Sequence, residues 1–555
     1  MKQLVVSVVV CVVVHCVAAI RYHNETRPSP VYRQLSEFLH EHPKPIGVFT
    51  RQTGDPMDIR DTVTMNTNIL DNKNFFIETS NLVRERIPER IVHAKGYGAF
   101  GYFEVTHDVS QYTKADVFNG IGKKTPLVGR FSTAIENLGG SDLLRETRAL
   151  ALKMYTKEGN LDFLSLHVPI FLYNEPLDFI RFVHAMKRNP RTNLFDNAMR
   201  WDFFNLKPQF LHTILWLLSD FGLPAGYRRM DVFPIHVYEI YNKHGERYFV
   251  KFNFRTTLGL SNLTNAQAAA LNLESPDSFN IDLYNAIAEK KYPSWRLEMD
   301  ILTKEDLKKV DYDPFDLTRL WKRGTYRTVT IGRIVFNANV DNAFKDIEQL
   351  ALSPDNLVPG ILGPHDEVFK SRRISYPDAQ NYRLGGNHLN IQVNAPLYDK
   401  TYNRDGMPPV RGNMKYAPNY YPNSFHGPMP YVDEARPTEM LKILHSNAID
   451  LQPLNEFYNE IVDTDAHRQR IADNLAETMI NLPAGLLKRS IYVLTLIDIG
   501  LGRRVRNALQ VLKHVDQEAR RNQIAECIAN VNEASMRPRN KLQKTYLLPY
   551  SHGRN

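Results

Sequence analysis

The sequence of 555 residues has only three cysteines, Cys11, Cys16 and Cys527, and two of them lie within its first sixteen residues. Because Cys527 is the one thiol left after loss of an N-terminal leader, an internal disulfide framework and a thiolate zinc site are both excluded. The sequence also lacks a phosphate-binding glycine loop, a His-Glu-x-x-His zinc motif and a Gly-x-Ser-x-Gly nucleophile motif. Its basic residues form no cluster, and the net charge is only +8, which argues against a nucleic-acid-binding surface.

The first nineteen residues have the composition of a secretory signal peptide. A basic second residue is followed by a valine-rich run over residues 4–14 and then by small residues up to Ala19. The run is shorter than the about 20 apolar residues that a membrane-spanning helix takes. We therefore predict cleavage near Ala19 and a secreted protein, with an uncleaved signal anchor as the alternative. Asn24 and Asn262 lie in glycosylation sequons, and the chain ends without a peroxisomal signal, which agrees with secretion.

The remaining sequence changes character three times and predicts an α+β fold. Residues 20–87 are polar and interrupted by proline, which is typical of an arm, whereas residues from about 95 to 340 carry short β-forming runs typical of a barrel or sandwich. Residues from about 340 to 450 are rich in Pro, Asn, Tyr and Gly, as in a segment that wraps around a core. From residue 454 onward the apolar spacing is helical. The expected elements are strands over 149–156, 161–172, 237–241, 247–254 and 328–337, and helices over 177–187, 210–221 and 369–376.

Two short clusters combine residue types that can carry chemistry. His93 lies among apolar residues and is followed by several glycines, a pattern that can face a tight planar ligand. Arg372 and Tyr376 are one helical turn apart, so the guanidinium can contact the phenol and stabilise the phenolate, the form that binds ferric iron. Taken singly, each cluster is more consistent with a structural role, as a core histidine bonded to backbone and as a surface arginine–tyrosine contact.

Together with a series of longer motifs, these clusters give a sequence that resembles the typical monofunctional haem catalases from about residue 21 to residue 424. The motifs are residues 86–101, 105–108 (VTHD), 130–133 (RFST), 187–190 (KRNP), 292–295 (YPSW), 313–318 (DPFDLT), 376–378 (YPD) and 418–425 (PNYYPNSF). The C-terminal helical region matches the family only in character.

The resemblance implies an α+β fold built on an eight-stranded antiparallel β-barrel, with haem b as cofactor, hydrogen peroxide as substrate and a homotetrameric assembly. No nucleic-acid partner is expected, and no membrane association after signal cleavage. The implied division of the chain is a signal peptide (1–19), an N-terminal arm (20–87), a haem-binding barrel domain (88–338), a wrapping loop with the proximal haem helix (339–453) and a C-terminal helical domain (454–555).

The matching motifs also imply roles for individual residues. His93 corresponds to the distal base, which moves a proton between the two peroxide oxygens, and Ser132 to the residue that hydrogen-bonds it. Tyr376 corresponds to the axial ligand of the iron, and Arg372 to the arginine that stabilises its phenolate. The other cofactor-binding matches are Arg90, Arg130 and Arg383 for the propionates, Val92, Phe171 and Phe179 for the haem pocket, and His236 for a polar partner on the proximal side.

The sequence departs from the family where the peroxide would bind. Leu166 stands at the position of the distal asparagine, so a donor to the peroxide oxygen is lost. Removing one such donor typically costs about 10²- to 10³-fold in rate. The adjacent His167 is not expected to replace it, because neighbouring side chains on a strand point to opposite faces. Further differences around the cofactor pocket are Tyr97, Glu146, Ala149, Leu150, Leu172 and Ile374.

The NADPH site of the family is altered as well. His212, Ser219, Arg255 and Trp321 stand in matching positions, but Phe221 replaces an arginine that neutralises phosphate. Asp231 replaces an asparagine, and a carboxylate repels phosphate. We therefore expect NADPH binding to be weak or absent.

Three functions remain open after this comparison. A secreted catalase with altered or reduced activity is favoured by the retained His93 and Tyr376. A haem-binding protein of the catalase fold without useful catalase activity is the second reading, favoured by Leu166, Tyr97 and Leu172. The third is a peroxidase that acts on bulkier organic hydroperoxides, because a leucine makes the cavity drier and more apolar.

Overall fold

The computed structural model describes residues 28–63, 69–407, 414–423, 425–437 and 451–535. The chain forms two compact units, one from residues up to 187 together with 209–449, and the other from 188–208 together with residues from 450 onward. The predicted signal peptide and the sequon at Asn24 lie outside the described residues. Among the described helices, none combines the length and the apolar character needed to cross a membrane.

An antiparallel sheet of nine strands forms the centre of the first unit. The strands are β1 (Gly96–Val105), β2 (Lys124–Thr133), β3 (Arg148–Thr156), β4 (Gly159–Leu166), β5 (Tyr238–Tyr241), β6 (Arg247–Thr256), β7 (Ser294–Thr303), β8 (Arg327–Asn339) and β9 (Ile361–Pro364). Their order across the sheet is β4-β3-β2-β1-β8-β7-β6-β5-β9. The strands predicted from 149, 237, 247 and 328 are confirmed as β3, β5, β6 and β8.

The sheet curls until strands from its opposite edges meet. Phe163 of β4 packs against Tyr238 of β5 and Phe252 of β6, with ring centroids 5.8 and 5.0 Å apart. At the end of β4, the Leu166 N–H donates to the Phe233 carbonyl at 3.0 Å, and the Phe233 N–H donates back at 2.7 Å. Strands β1 to β8 thus confirm the predicted antiparallel barrel, and the short β9 adds a ninth strand beside β5.

Alternate residues of β2, β3 and β4 fill the interior of this barrel. Phe131, Leu150 and Phe163 are fully buried and belong to one apolar cluster. Burying a large apolar side chain contributes about 1.5–3 kcal/mol, so these residues determine which face of each strand turns inward. The residues between them, such as Ser132 and Leu166, therefore lie on the outer face of the sheet.

Helices make up most of the remaining regular structure. Those in the first unit include α3 and α5, which confirm the helices predicted from 177 and 210, and α9, which carries Tyr376. The helices are α1 (Pro30–Glu41), α2 (Lys73–Leu82), α3 (Leu177–Met186), α4 (Asn197–Leu206), α5 (Leu211–Leu218), α6 (Asn265–Glu274), α7 (Ser278–Ala288), α8 (Lys304–Leu307), α9 (Glu367–Leu384), α10 (Gln452–Glu456), α11 (Asp465–Met479), α12 (Ala484–Ile497) and α13 (Ile499–Ser535).

The second unit is helical and includes α4 as well as the C-terminal helices. Trp201 of α4 is buried, and its Nε1 donates to the Thr478 hydroxyl of α11 at 3.0 Å. Asn205 of α4 donates to the Ser490 hydroxyl of α12 at 2.8 Å. These contacts attach residues 188–208 to the C-terminal helices, although the division by sequence placed them in the barrel domain.

Candidate active site

A row of residues across β1 to β4 lies on the outer face of the sheet. The strand register pairs Gly96 with Ser132, Ser132 with Ala149, and Ala149 with Leu166. Neighbouring strands are about 4.7–4.9 Å apart, so Leu166 lies about 10 Å from Ser132 with Ala149 between them. The row begins with glycine because a Cβ there would lie only 2.6 Å from the Arg130 guanidinium carbon. Two predicted site residues, Ser132 and Leu166, are thus on one side of the sheet.

His93 is held in place by the backbone and by Ser132. It adopts φ 60°, a left-handed conformation that is uncommon for a residue other than glycine. Its N–H donates to the Ala134 carbonyl at 2.8 Å, and Ala134 in turn donates to the Glu146 carboxylate at 3.1 Å. The His93 Nδ1 lies 3.0 Å from the Ser132 hydroxyl. Burial, and after it the charge of Arg130, lowers the pKa of His93 to about 3, so the imidazole is neutral and able to accept a proton.

Leu166 provides no donor at the end of β4, and His167 does not supply one. The Leu166 side chain is nearly buried, at 9% exposure. The His167 Nδ1 accepts the Arg148 N–H at 3.0 Å, and the His167 N–H donates to the Arg148 carbonyl at 2.9 Å. His167 is therefore engaged with the backbone of β3, in agreement with the strand alternation that predicted its direction.

A chain of polar side chains leads to Tyr376 on α9. Asp366 caps this helix, since its Oδ1 accepts the Phe369 N–H at 2.8 Å, and its Oδ2 lies 2.9 Å from His236 Nδ1. The His236 Nε2 lies 2.7 Å from Arg372 Nη1, and Arg372 Nη2 donates to the Tyr376 hydroxyl at 2.9 Å. Because a guanidinium can only donate, His236 must accept at Nε2 and carry its proton on Nδ1, toward Asp366. The chain thus fixes the tautomer of His236 and aims a positive charge at the Tyr376 oxygen.

Asp366 and Arg372, which lie on either side of His236 in this series of contacts, are held in their charged forms. Burial works against the charge of Asp366, but the contact with His236 outweighs it and keeps the pKa of Asp366 below its usual value. Burial likewise disfavours the charge of Arg372, but the neighbouring Tyr376 outweighs it and raises the pKa of Arg372. Burial is the main reason why the pKa of His236 is lowered. A neutral imidazole therefore lies between a carboxylate and a guanidinium.

Arg90, Arg130 and Arg383 form a buried cluster around one carboxylate, that of Glu348. Arg90 Nη1 lies 3.4 Å from Glu348 Oε2, and Arg383 Nη2 donates to Glu348 Oε1 at 2.9 Å. Arg130 donates to two backbone carbonyls at 2.8 Å, and its buried Nε has no partner among the described residues. Burial, and then the charges of Arg130 and Arg383, lower the pKa of Arg90. Three guanidinium groups against one carboxylate leave two positive charges unbalanced in this cluster.

Phe171 and Phe179 lie in an aromatic cluster around Tyr173. Their ring centroids are 4.7 and 6.2 Å from that of Tyr173, which is 4% exposed. Val92, the remaining residue predicted for the pocket, directly precedes His93 in the chain and is half-buried. The structure therefore brings Phe171 and Phe179 together around one buried phenol.

These side chains fit a haem group. Two unbalanced positive charges match the two carboxylates of the propionates, and a phenol beside a guanidinium is a suitable ligand for ferric iron. The apolar rings of Phe171 and Phe179 can pack against a planar macrocycle. The charges of Arg372 and Arg90 contribute to the lowered pKa of His93, so the two sides of the site are within electrostatic range of each other.

Two residues of this site, Glu348 and Tyr173, were not predicted from the sequence. Glu348 ends a π-helical turn, Phe344–Glu348, inside the region that the sequence predicted as irregular. Tyr173 stands in a run of aromatic residues in which no spacing distinguishes it from the others. Both acquire their surroundings from segments far away in the chain, so a local sequence signal could not have found them.

The positions that match an NADPH site are engaged within the chain. Arg255 Nη1 donates to Asp231 Oδ2 at 3.0 Å, and the other oxygen of Asp231 accepts the Thr256 N–H at 2.8 Å. The Trp321 Nε1 donates to a backbone carbonyl at 2.7 Å. A carboxylate thus already neutralises the one arginine among the matched positions.

Comparisons with known proteins agree with this geometry. The catalase family model matches residues 50–427. A catalase of Glandirana rugosa is 39% identical over 442 residues, which cover 78% of this chain and 84% of the relative, and a catalase of Ascaris suum is 36% identical over 526 residues, which cover 93% and 96%. The solved structure of catalase A from Saccharomyces cerevisiae is similar with a TM-score of 0.79 and 32% identity, over 84% of this chain and 99% of that one. The chain belongs to the catalase family.

Proposed function

We propose that this protein is a secreted catalase that decomposes hydrogen peroxide to water and dioxygen at a reduced rate, with haem b as its cofactor. The observation that carries the proposal is the half-buried, neutral His93 with its Nδ1 3.0 Å from the Ser132 hydroxyl. A neutral imidazole held in one orientation is the group that a peroxide needs for proton transfer between its two oxygens. Family membership supports the same substrate.

The residues that would hold the haem follow from the charges of the site. Arg90, Arg130 and Arg383 would pair with the propionates, and the Tyr376 phenolate would bind the iron. When bound, the haem supplies the two-electron redox chemistry that splits the oxygen–oxygen bond of a peroxide. Arg372 donates to the Tyr376 hydroxyl and so places a positive charge beside the oxygen that would bind the iron.

Residues of the protein itself carry out the proton transfer. His93 takes the proton from one oxygen of hydrogen peroxide and returns it to the other oxygen. Ser132 fixes the imidazole ring through its contact with Nδ1, so that Nε2 faces the substrate. The backbone contact from His93 to Ala134 resists rotation of the whole residue.

Leu166 is the reason why a reduced rate is proposed. A leucine cannot donate to an oxygen on which charge develops, and one missing donor typically costs about 10²- to 10³-fold in rate. His167 does not compensate, because it pairs with Arg148 and its side chain therefore lies on the face of the sheet opposite Leu166. Weak or absent NADPH binding is also proposed, with support from the Arg255–Asp231 ion pair of 3.0 Å.

Secretion and a tetrameric assembly complete the proposal. The composition of residues 1–19 supports cleavage near Ala19, and Asn262 of the second sequon is exposed and thus accessible to glycosylation. The arm over residues 28–63 exposes large apolar side chains, including Ile46 and Ile59 at 79% and 80% exposure. Such side chains are candidates for burial between copies of the chain.

The test is oxygen release from hydrogen peroxide by the secreted holoprotein, with its haem content read from the Soret band. We expect full haem occupancy with slow oxygen release, and an increase of about 10²- to 10³-fold in Leu166→Asn. Leu273→Gln, at an 89% exposed position on α6, is the control: it places an amide there without creating a glycosylation sequon, and it should change nothing. Full haem with no oxygen release in either the wild type or Leu166→Asn would contradict the proposal and favour a haem-binding protein without catalase activity.

A further inference from the structure

The polar side chains beside His93 on the outer face of the sheet are already committed. Ser132 is the polar member of the row from β1 to β4, and its hydroxyl contacts His93. Ser165 precedes Leu166 but pairs with a core residue of β3, so it faces the barrel interior. His167 pairs with Arg148, so its side chain lies on the opposite face of the sheet. Beside this row, His93 is therefore the group that can exchange a proton with a substrate.

Beyond Ser132 the same face is apolar. Ala149 and Leu166 are 6% and 9% exposed, and the next row places Ala151 and Leu164 beside them. Leu164 packs against the apolar cluster of Val128, Ile347, Leu350 and Leu352. Two adjacent rows thus end in leucines on β4, with only alanines between them and β2.

This apolar face has different consequences for the two kinds of peroxide. The oxygen that leaves carries either a hydrogen atom, in hydrogen peroxide, or an organic group, in a hydroperoxide. A hydroxyl against Leu166 has no hydrogen-bond partner, and burying it there is unfavourable. An alkyl or aryl group against Leu166 and Ala149 gains from the removal of apolar surface from water.

We propose that the site also reduces organic hydroperoxides with an apolar alkyl or aryl group to the corresponding alcohols, with hydrogen peroxide as the reductant. This inference rests on the proposed function, because it uses the same proton transfer at His93. It assigns to Leu166 a specificity role: the residue that slows hydrogen peroxide breakdown favours the bulkier substrate.

The reaction balances as ROOH + H₂O₂ → ROH + H₂O + O₂. The oxygen–oxygen bond of the hydroperoxide breaks, and the departing RO oxygen keeps both electrons of that bond. His93 moves the hydroperoxide's own proton to this oxygen, which gives the alcohol. The other oxygen atom takes two electrons and two protons from hydrogen peroxide and leaves as water, while hydrogen peroxide is oxidised to dioxygen.

The experiment compares cumene hydroperoxide with hydrogen peroxide on the holoprotein. The alcohol product, 2-phenylpropan-2-ol, is measured by chromatography in the presence of hydrogen peroxide, and kcat/KM is obtained for each peroxide. We expect the kcat/KM for cumene hydroperoxide, divided by that for hydrogen peroxide, to fall at least about tenfold in Leu166→Asn. The amide favours the small polar substrate and disfavours the aryl group. Leu273→Gln should leave the ratio unchanged.

A binding measurement adds a readout that does not depend on turnover. The Soret band of the wild type should shift on titration with 2-phenylpropan-2-ol, and the dissociation constant should rise about tenfold in Leu166→Asn. The wild-type titration tests the inference even where that variant does not fold. Release of oxygen from hydrogen peroxide without formation of the alcohol from cumene hydroperoxide would overturn the inference and leave the proposed function standing. Consumption of neither peroxide by the haem-loaded protein would overturn both.

Discussion

At the scale of single residues, two histidines in and beside the site are held without charge. Burial lowers the pKa of His93 and of His167 to about 3, against an ordinary value of 6.5. The two neutral imidazoles have different roles. His93 faces a site where a neutral base is useful, whereas His167 accepts the Arg148 N–H and serves the fold.

A stability measurement isolates the free-energy cost of keeping the buried His167 uncharged. The unfolded chain takes up the proton near pH 6.5 and the folded chain only near pH 3, so the wild type loses stability as the pH falls between these values. His167→Asn keeps an acceptor but does not titrate. We expect the free energy of unfolding of the wild type, relative to the variant, to decrease by about 1.4 kcal/mol per pH unit below pH 6.5. Urea unfolding at a series of pH values checks this, and a constant difference would contradict it.

The motifs marked single residues that the structure brings into contact. The resemblance named His93, Ser132, Arg372 and Tyr376, and the structure joins them in two contacts, His93 with Ser132 and Arg372 with Tyr376. Glu348 escaped prediction, because its partners are arginines that approach it from distant segments. Charge balance in a buried cluster is a property of three dimensions, and a sequence does not display it.

At the scale of elements, α9 combines a helix cap with the polar chain that reaches Tyr376. Asp366 has two separable tasks, since one oxygen caps the helix and the other contacts His236. Asp366→Asn keeps a cap and removes the charge, whereas Asp366→Ala removes both. We expect Asp366→Ala to be about 1 kcal/mol less stable than Asp366→Asn, while both variants show the same displaced Soret band in the holoprotein. Equal stability of the two variants, or a displaced band in Asp366→Ala alone, would contradict this division of tasks.

Elements were predicted well where the local pattern agrees with the final contacts. The strands predicted from 149 and 161 form a hairpin, β3 and β4, because their alternating residues have one face in the barrel core. The strand predicted over 161–172 ends earlier, at Leu166, and Pro169 follows soon after. Proline has no N–H for a sheet ladder, which explains why the strand could not continue to Leu172.

At the scale of the whole molecule, the short strands indicated a barrel or a sandwich, and only the family resemblance implied the barrel. Closure depends on ring contacts between β4, β5 and β6, which lie far apart in the sequence. The grouping of residues 188–208 with the C-terminal helices also depends on distant contacts. The partners of Trp201 and Asn205 are nearly 300 residues further along the chain, so no local pattern links them.

Assembly into a tetramer is a prediction for the whole molecule, and the exposed apolar side chains of the arm provide a test of it. Ile46 and Ile59 are 79% and 80% exposed, and an isoleucine gains about 1.5–3 kcal/mol when it is buried. A charge at either position should therefore weaken contacts between copies but leave the single chain folded. We expect Ile46→Glu and Ile59→Glu to lower the mass measured by light scattering from four chains to fewer, with an unchanged Tm of the separated chains. Leu273→Glu, at a position that is 89% exposed on α6, is the matched control and should remain a tetramer. A wild type that already elutes as a single chain would contradict the prediction, as would tetramers of both arm variants.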